Sequence, residues 1–295
     1  MNTSLPQRTQ AYKGQATDTD RWNDIPLRAD DIFVCTPEKS GTTWTQTMIA
    51  MMILRTPDLP VPATVLSPWA DAGLMPMEVM LPMLEAQEHR RVMKTHTPLD
   101  GIPFQESSTY ICVWRDPRDI HFSMRNHVLN MKNDVFDEQF PEDINEGFKR
   151  WVEKPHEPGA QEVFTLEARV NHYLTFKKFQ HLPNIHVFHY ADMLADPKAA
   201  MQRLAGILAL DIDGGLMDTL VQASSFKQMK ANAGKMVPGA GMGIWHDESK
   251  FFNKGTSNQW EGVISEGNLA AYDARMAELL SAEDITWYQS GSANA

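Results

Sequence analysis

Short apolar runs alternate with helical patterns along most of the chain. Four runs rich in apolar and β-branched residues, each bounded by turn-forming residues, have the length and composition of buried strands. They occupy residues 31–36, 91–95, 109–114 and 185–190. Helical patterns follow three of them, over residues 43–54, 118–131 and 197–210. The order predicts repeated strand–helix units.

This alternation predicts the fold class. Short strands separated by helices favour a parallel sheet with helices on both faces. We therefore expect an α/β fold in which residues 31–290 form a single domain with a central, mainly parallel sheet. Residues 1–30 are expected to be an N-terminal segment that is partly loop. Ligands of such sheets bind beyond the carboxyl ends of the strands, so the loops after the strands are the first candidates for a site.

Two stretches interrupt the alternation and are predicted to be loops over the same edge. Residues 57–82 are rich in Pro and Met, and residues 234–243 contain four glycines. Surface connection is the simplest interpretation, but long ordered loops are often functional and could wall a pocket. Several methionines of the first helix are expected in the core. An adaptable apolar pocket, suited to a hydrophobic alcohol or phenol, is an equal alternative for four others, Met75, Met77, Met80 and Met83.

The composition narrows the class of protein. Of 295 residues, 27 are Lys or Arg and 38 are Asp or Glu, and the net charge of −11 argues against nucleic acid or an anionic membrane as the main partner. The two cysteines, Cys35 and Cys112, lie in strand-like runs and are expected to be buried, reduced thiols. The N-terminus lacks the apolar core of a signal peptide, and the longest apolar run, residues 48–54, is too short to span a bilayer. We expect a cytoplasmic protein without a membrane partner.

Residues 36–44, between the first strand and the first helix, are the strongest local signal. A lysine, hydroxyl side chains and Gly41 at a helix N-terminus can cradle an anion, because backbone N–H groups and the positive end of the helix dipole meet there. The segment is not a Walker A loop, since Lys39 precedes the glycine. Ser and Thr are also good N-caps, so a purely structural interpretation stays open.

The segment from Lys39 to Trp44 resembles the 5′-phosphosulfate loop of the cytosolic-type sulfotransferases, which use 3′-phosphoadenosine 5′-phosphosulfate (PAPS). Further matches follow in the family's order. The segment 94–96 resembles the one that carries the catalytic His, and residues 114–119 with Ser123 resemble the 3′-phosphate site. The remaining matches, to the adenine-side segments and the closing motif, are residues 190–193, 224–229 and 253–255 with Trp260.

The resemblance implies a PAPS-dependent sulfotransferase that passes a sulfuryl group to a small-molecule hydroxyl by in-line attack, without a metal. His96 would be the general base, Lys39 would stabilise the leaving oxygen, and Lys94 would face the sulfuryl oxygens. The residues implied to bind the cofactor are Lys39, Ser40, Gly41, Thr42, Thr43, Trp44, Arg115, Ser123, Tyr190, Ser224, Phe226, Asn253, Lys254 and Gly255.

Two positions depart from the family pattern. Glu38 stands where the family usually has Pro, and a carboxylate beside an anion-binding loop is unfavourable unless it faces solvent or pairs with a cation. Asn253 replaces the Arg of the closing motif and removes a charge expected at the 3′-phosphate. Both departures would act on cofactor affinity.

Functions of other classes stay open. One is a catalytically degenerate nucleotide-binding protein on the same fold, and another is a P-loop-type small-molecule kinase, which would need Mg²⁺ and a triphosphate. Peptide- or carbohydrate-directed sulfotransferases of the secretory pathway carry a membrane anchor. The dimerisation motif of the animal cytosolic enzymes is not recognisable at residues 261–270, so a homodimer is one open oligomeric state.

Overall fold

The computed structural model describes residues 4–252 and 255–292. Within these residues the centre is a four-stranded sheet with the order β2-β1-β3-β4, in which each neighbouring pair is parallel. Each strand coincides with one of the predicted apolar runs. The predicted α/β fold with a central parallel sheet flanked by helices is therefore confirmed. The strands are β1 (Ile32–Cys35), β2 (Val92–Thr95), β3 (Thr109–Trp114) and β4 (Ile185–His189).

Both faces of the sheet are covered, as β1 illustrates. Phe33 and Cys35 join the hydrophobic cluster on one face, whereas Ile32 and Val34 join the cluster on the other. All four side chains are completely buried. A strand buried on both faces has an unbroken apolar sequence, which is why the pattern identified it. Cys35 is the register partner of Cys112 on β3, and both are buried free thiols.

Helices pack on both sides of the sheet in the described part of the chain. None of them is long and apolar enough to cross a bilayer. The helices are α1 (Thr42–Leu54), α2 (Ala63–Leu66), α3 (Met77–Glu85), α4 (Pro117–Val128), α5 (Ile144–Glu153), α6 (Leu166–Lys177), α7 (Tyr190–Ala195), α8 (Pro197–Ile207), α9 (Gly214–Ala223), α10 (Phe226–Ala231), α11 (Ala233–Met236), α12 (Glu266–Leu279) and α13 (Ala282–Ser290).

The prediction that residues 57–82 form a loop was wrong, because α2 and α3 lie within or across this segment. The prolines obscured α3. Pro76 occupies its N-cap position, where the missing N–H costs nothing, and Pro82 lies inside the helix. Met80 and Leu84, four residues apart, are buried and hold the helix against the core. Met77, Met80 and Met83 therefore lie on a helix rather than in a loop.

Smaller corrections concern helix ends. The helix predicted to reach residue 210 ends at Ile207, and Ala209 adopts a left-handed φ of 52° that interrupts it. The helix predicted over 118–131 starts at Pro117 and ends at Val128. In the predicted loop 234–243, α11 occupies the first residues, and three glycines at positive φ form the turns that follow, Gly239, Gly241 and Gly243.

A buried ion pair joins the amino ends of two strands. Arg91 donates from Nε to Asp31 Oδ1 at 2.7 Å and from Nη2 to Asp31 Oδ2 at 2.5 Å. Arg91 is 2% exposed and Asp31 is fully buried. Removing one member of such a pair leaves an uncompensated buried charge, which is far more costly than losing an exposed pair.

We expect Arg91→Met to lower the free energy of unfolding by about 3–5 kcal/mol, because Asp31 would keep a buried charge without its partner. Urea denaturation followed by circular dichroism measures this difference. The control is Arg150→Met, which breaks the exposed pair with Glu146 on α5 and should cost less than about 1 kcal/mol. Equal effects of the two substitutions would contradict the assignment.

Candidate functional site

The candidate site lies at the carboxyl ends of the three neighbouring strands β2, β1 and β3. The loop after β1 leads into α1. Two hydrogen bonds connect this loop to the ends of the neighbouring strands. His96, just after β2, contacts the Thr36 carbonyl through Nδ1 at 2.6 Å. Arg115, just after β3, donates from Nη1 to the Lys39 carbonyl at 3.4 Å. The parallel sheet thus brings together segments that are separate in the sequence.

The loop 36–41 ends in a helix start that has no side-chain cap. Gly41 is the N-cap residue of α1 with a φ of 96°, and no side chain accepts from the first-turn N–H groups. A Cβ at Gly41 would lie 2.8 Å from Cδ2 of Tyr190, so only glycine fits. Ser40 is fully buried, and its Oγ has no partner within the described structure. Uncapped N–H groups together with a buried hydroxyl that has no partner can bind an anion.

Lys39 is the cation of this loop and is partly buried. Its Nζ lies 3.1 Å from Nδ1 of His127 and 4.8 Å from the ring centre of Phe251. Burial, together with the charges of Arg115 and Lys94, lowers the pKa of Lys39 to about 7. An anion bound beside this ammonium would reverse the shift.

Arg115 is buried between the loop and the segment that begins at Gly255. Its guanidinium lies over the Tyr190 ring at 4.6 Å and donates from Nη2 to the Thr256 carbonyl at 2.9 Å. It also pairs with Asp119 at 3.7 Å, while its buried Nε has no partner in the described residues. Arg115 is therefore anchored but keeps one donor available.

Asp119 fixes the other side of the same segment. Its carboxylate accepts from the backbone N–H groups of Asn258 at 3.0 Å and Gln259 at 2.9 Å. These bonds hold the chain after Gly255 against the start of α4. Asn253 and Lys254, which the sequence places in this site, lie outside the described residues.

The predicted adenine-side residues surround the start of α1. Trp44 donates from Nε1 to the Ser224 carbonyl at 2.9 Å, and its ring meets Tyr190 edge-on at 5.7 Å. Phe226 lies against Gly255, where a Cβ would approach its Cδ2 to 2.4 Å at a φ of 64°. Trp44 and Phe226 pack against the same small aromatic cluster that contains Trp245 and Phe252. Ser123 is partly buried on α4.

His96 is buried, and its hydrogen bonding defines its tautomer. The Thr36 carbonyl can only accept, so Nδ1 of His96 carries the proton and Nε2 keeps its lone pair. Burial, and then the charge of Lys94, lower the pKa of His96 to about 3. The imidazole is therefore neutral at physiological pH, with a basic nitrogen available.

Lys94 lies beside His96 and against Trp69. Its Nζ is 4.4 Å from the indole centre of Trp69, and burial lowers its pKa to about 8. The Trp69 segment pairs with the outer edge of β2, since Lys94 N–H donates to the Pro68 carbonyl at 2.9 Å. Ala70 N–H in turn donates to the Lys94 carbonyl at 3.1 Å. Trp69 also touches His96 edge-on at 4.9 Å, so one residue contacts both groups.

In the structure, the negative charge of Glu38, which the sequence predicted to be unfavourable beside an anion-binding loop, has a cationic partner. Glu38 is buried and forms an ion pair with Arg169 of α6. Burial alone would raise the pKa of Glu38, but the charge of Arg169 lowers it to about 2. The second alternative considered from the sequence, pairing with a cation, is the one observed.

Three contact residues were missed in the sequence. Arg169 and Trp69 are distant from the motifs and carry no local signal that distinguishes them from other helix or loop residues. His127 had a usable signal, because it lies four residues after Ser123 and therefore on the same face of α4. The His127 ring also contacts the rings of Trp245 at 4.8 Å and Phe251 at 5.6 Å. His127 therefore connects Lys39 to the segment after α11.

Two solved structures have folds similar to that of this chain. The mouse sulfotransferase SULT7A1 complexed with PAP has a TM-score of 0.72 at 20% identity, with 90% of each chain covered. Retinol dehydratase in complex with androsterone and inactive cofactor PAP has a TM-score of 0.67 at 22% identity, covering 88% of this chain and 83% of that one. At these identities the likeness shows the fold alone.

Sequence comparisons add the family. The chain is 34% identical to a glycolipid sulfotransferase of Mycobacterium bovis, over 99% of this chain and 98% of that protein. It is 33% identical to a glycolipid sulfotransferase of Mycobacterium tuberculosis over the same shares. A family model described as Sulfotransferase domain matches residues 29–283, which include all three strand ends of the site. The chain therefore belongs to the sulfotransferase family.

Proposed function

We propose that this enzyme binds PAPS at the carboxyl ends of β1 and β3 and transfers its sulfuryl group to a hydroxyl of a small acceptor with an apolar part. The observation that carries the proposal is the convergence of Lys39, Lys94 and Arg115 on the uncapped start of α1, beside a neutral His96. The names of the mycobacterial relatives support an acceptor that combines a hydroxyl with a lipid, consistent with a hydrophobic alcohol.

The residues present fit a ligand with two phosphate groups. Gly41 leaves room that a Cβ would fill, Ser40 Oγ is a buried hydroxyl without a partner, and Arg115 Nε is a buried donor without one. We propose that Lys39 to Thr43 hold the 5′-phosphosulfate. Arg115, Ser123 and Gly255 would hold the 3′-phosphate, with Lys254 from the sequence. On the adenine side we propose Trp44, Tyr190, Ser224 and Phe226.

PAPS, when bound, supplies a sulfuryl group attached to a phosphate leaving group. Lys39 would place a positive charge at the oxygen on which negative charge develops, and a cation fixed there stabilises the transition state more than the ground state. Lys94 is held by Trp69 at the carboxyl end of the neighbouring strand β2, where it would face the sulfuryl oxygens. The protein thereby supplies positioning and charge, which is most of what a loose transition state requires.

His96 would take the proton of the acceptor hydroxyl at Nε2. The Thr36 carbonyl keeps Nδ1 protonated, so the free lone pair points away from the loop backbone. The lowered pKa keeps the ring neutral before the acceptor arrives. Anionic groups beside the ring would raise its pKa toward the value that a general base needs.

His96→Ala should lower kcat about 10²- to 10⁴-fold, because the acceptor hydroxyl loses its base. The dissociation constant for 3′,5′-adenosine bisphosphate should change by less than about threefold, since the imidazole contacts no proposed phosphate residue. Turnover assays with PAPS and calorimetric titration measure the two quantities. The control His186→Ala on β4 should alter neither, and an equal loss of affinity in His96→Ala would contradict the division of roles.

Arg115→Ala should weaken binding of 3′,5′-adenosine bisphosphate about 10- to 100-fold, because a buried charge-assisted donor is lost. Binding of 5′-AMP should change little, so the preference for the 3′-phosphate disappears. Calorimetry on metal-free protein measures both nucleotides. The matched control is Arg118→Ala, since Arg118 pairs with Asp116 and lies over Trp260 rather than facing the loop.

The same titration separates the alternatives. Binding that requires the 3′-phosphate and no Mg²⁺ supports the sulfotransferase site. Binding of ATP only with Mg²⁺ would instead support a kinase. Binding of the bisphosphate without any sulfuryl transfer to a broad set of alcohols and phenols would support a degenerate nucleotide-binding protein.

Binding of the bisphosphate should also take up protons between about pH 7 and about pH 8, the pKa values of Lys39 and Lys94 in the free protein. Each lysine is partly deprotonated there, and the bound phosphates raise both pKa values, so protons enter. Below this range the lysines are already charged and the uptake should fade. Calorimetry in buffers of different ionisation enthalpy measures it, and Lys39→Met should reduce it. Net proton release by the parent protein in this range would contradict the charge assignment.

A further inference from the structure

Next to His96 the structure leaves two buried polar atoms without partners. One oxygen of Glu38, Oε2, pairs with Arg169, whereas the other, Oε1, has no hydrogen-bond partner in the described residues. Glu38 is only 8% exposed. An ionised carboxylate oxygen that is buried and unpaired is costly, so a donor is expected to reach it from a ligand or a water molecule.

The second atom is a donor. His172, one turn after Arg169 on α6, is 2% exposed. Its Nδ1 accepts from Nε1 of Trp114 at 3.2 Å, because an indole nitrogen can only donate. The proton of the neutral ring therefore sits on Nε2, and Nε2 has no partner in the described residues.

These groups form one cluster with the proposed base. Glu38 follows by two residues Thr36, whose carbonyl contacts Nδ1 of His96, and its ion-pair partner Arg169 lies one helical turn before His172 on α6. An acceptor atom and a donor atom are thus left open within the surroundings of the same imidazole. A hydroxyl group can pair with an atom of either kind, since it donates one hydrogen bond and accepts others.

The third open atom, a second donor, belongs to Trp69, which contacts His96. Nε1 of Trp69 is buried without a partner, although the Trp69 side chain as a whole is only partly buried and meets His96 edge-on at 4.9 Å. A ligand that reaches His96 therefore meets an indole face and several unsatisfied hydrogen-bonding atoms. A simple apolar alcohol would leave them unpaired.

We propose that Glu38, held by Arg169, is a specificity-determining residue that binds a second hydroxyl of the acceptor, next to the hydroxyl that reacts at His96. The acceptor class is then a vicinal diol, as found in a sugar ring, with its lipid part further out. The neighbouring hydroxyl donates to Glu38 Oε1, keeps its proton throughout, and takes no part in bond making. This inference rests on the proposed function and narrows its substrate.

The test compares cyclohexane-1,2-diol with cyclohexanol, which differ only in the neighbouring hydroxyl, and octyl glucoside with 1-octanol, which differ in the sugar ring that supplies vicinal hydroxyls. The parent enzyme with PAPS should prefer the hydroxyl-rich member of each pair about 10- to 100-fold in kcat/KM, because the monoalcohol leaves a buried carboxylate oxygen unpaired. In Glu38→Gln this preference should fall at least about tenfold. The matched control Glu167→Gln, on the same helix as Arg169 but paired with Arg275 near the surface, should keep the preference.

Glu38→Gln leaves Arg169 without its buried partner and could unfold the protein. The double variant Glu38→Gln/Arg169→Met removes both charges together, and circular dichroism with bisphosphate binding verifies that each variant is folded. A readout independent of turnover is calorimetric titration of octyl glucoside into the bisphosphate-saturated protein. The parent should bind it more tightly than either Glu38 variant does.

Equal kcat/KM for diol and monoalcohol in the parent enzyme, or a preference that survives in both Glu38 variants, would overturn the inference and leave a water molecule as the partner of Glu38 Oε1. The proposed function would stand in that case, because transfer and bisphosphate binding persist. Absence of bisphosphate binding and of transfer to every acceptor in the parent would overturn the proposed function itself, and the inference with it.

Discussion

The crowding of cationic side chains at one end of the sheet is the constraint on which the site depends. Burial lowers the pKa of Lys39 and Lys94, and the charge of Arg115 adds to the effect on Lys39. Cations held in partly desolvated positions are unfavourable unless anions accompany them. A chain with a net charge of −11 thus maintains a local positive centre, and the proposed anionic cofactor would balance its charge.

The same crowding sets the protonation state of His96. With Lys94 next to it and its ring buried, His96 stays neutral, and the Thr36 carbonyl selects which nitrogen holds the proton. A base flanked by cations is weak in the free enzyme, and anions entering the site strengthen it. The electrostatics therefore link the proposed chemistry to occupation of the site.

Two acidic residues balance the positive centre from different sides. Asp119 pairs with Arg115 and holds the backbone that follows Gly255, while Glu38 in the loop after β1 pairs with Arg169 of α6. A carboxylate at position 38 is tolerated because α6 supplies its partner. The carboxylate that departs from the family pattern at position 38 is therefore buried together with a compensating charge, Arg169.

The sequence by itself determined the parts that local patterns control. The four strands, the loop before α1, the helix starts to within one residue of Thr42 and Pro117, and the grouping of the motifs at one sheet edge follow from apolar runs, turn residues and the rule that parallel strands end together. Tertiary structure alone decided the partners: Arg169 lies 131 residues from Glu38, and His127 lies 88 residues from Lys39. It also decided that α3 is a helix despite Pro82, because burial of Met80 and Leu84 outweighs the local preference against one. Contacts over such separations depend on how helices pack on the sheet, and no local pattern in a single sequence records that packing.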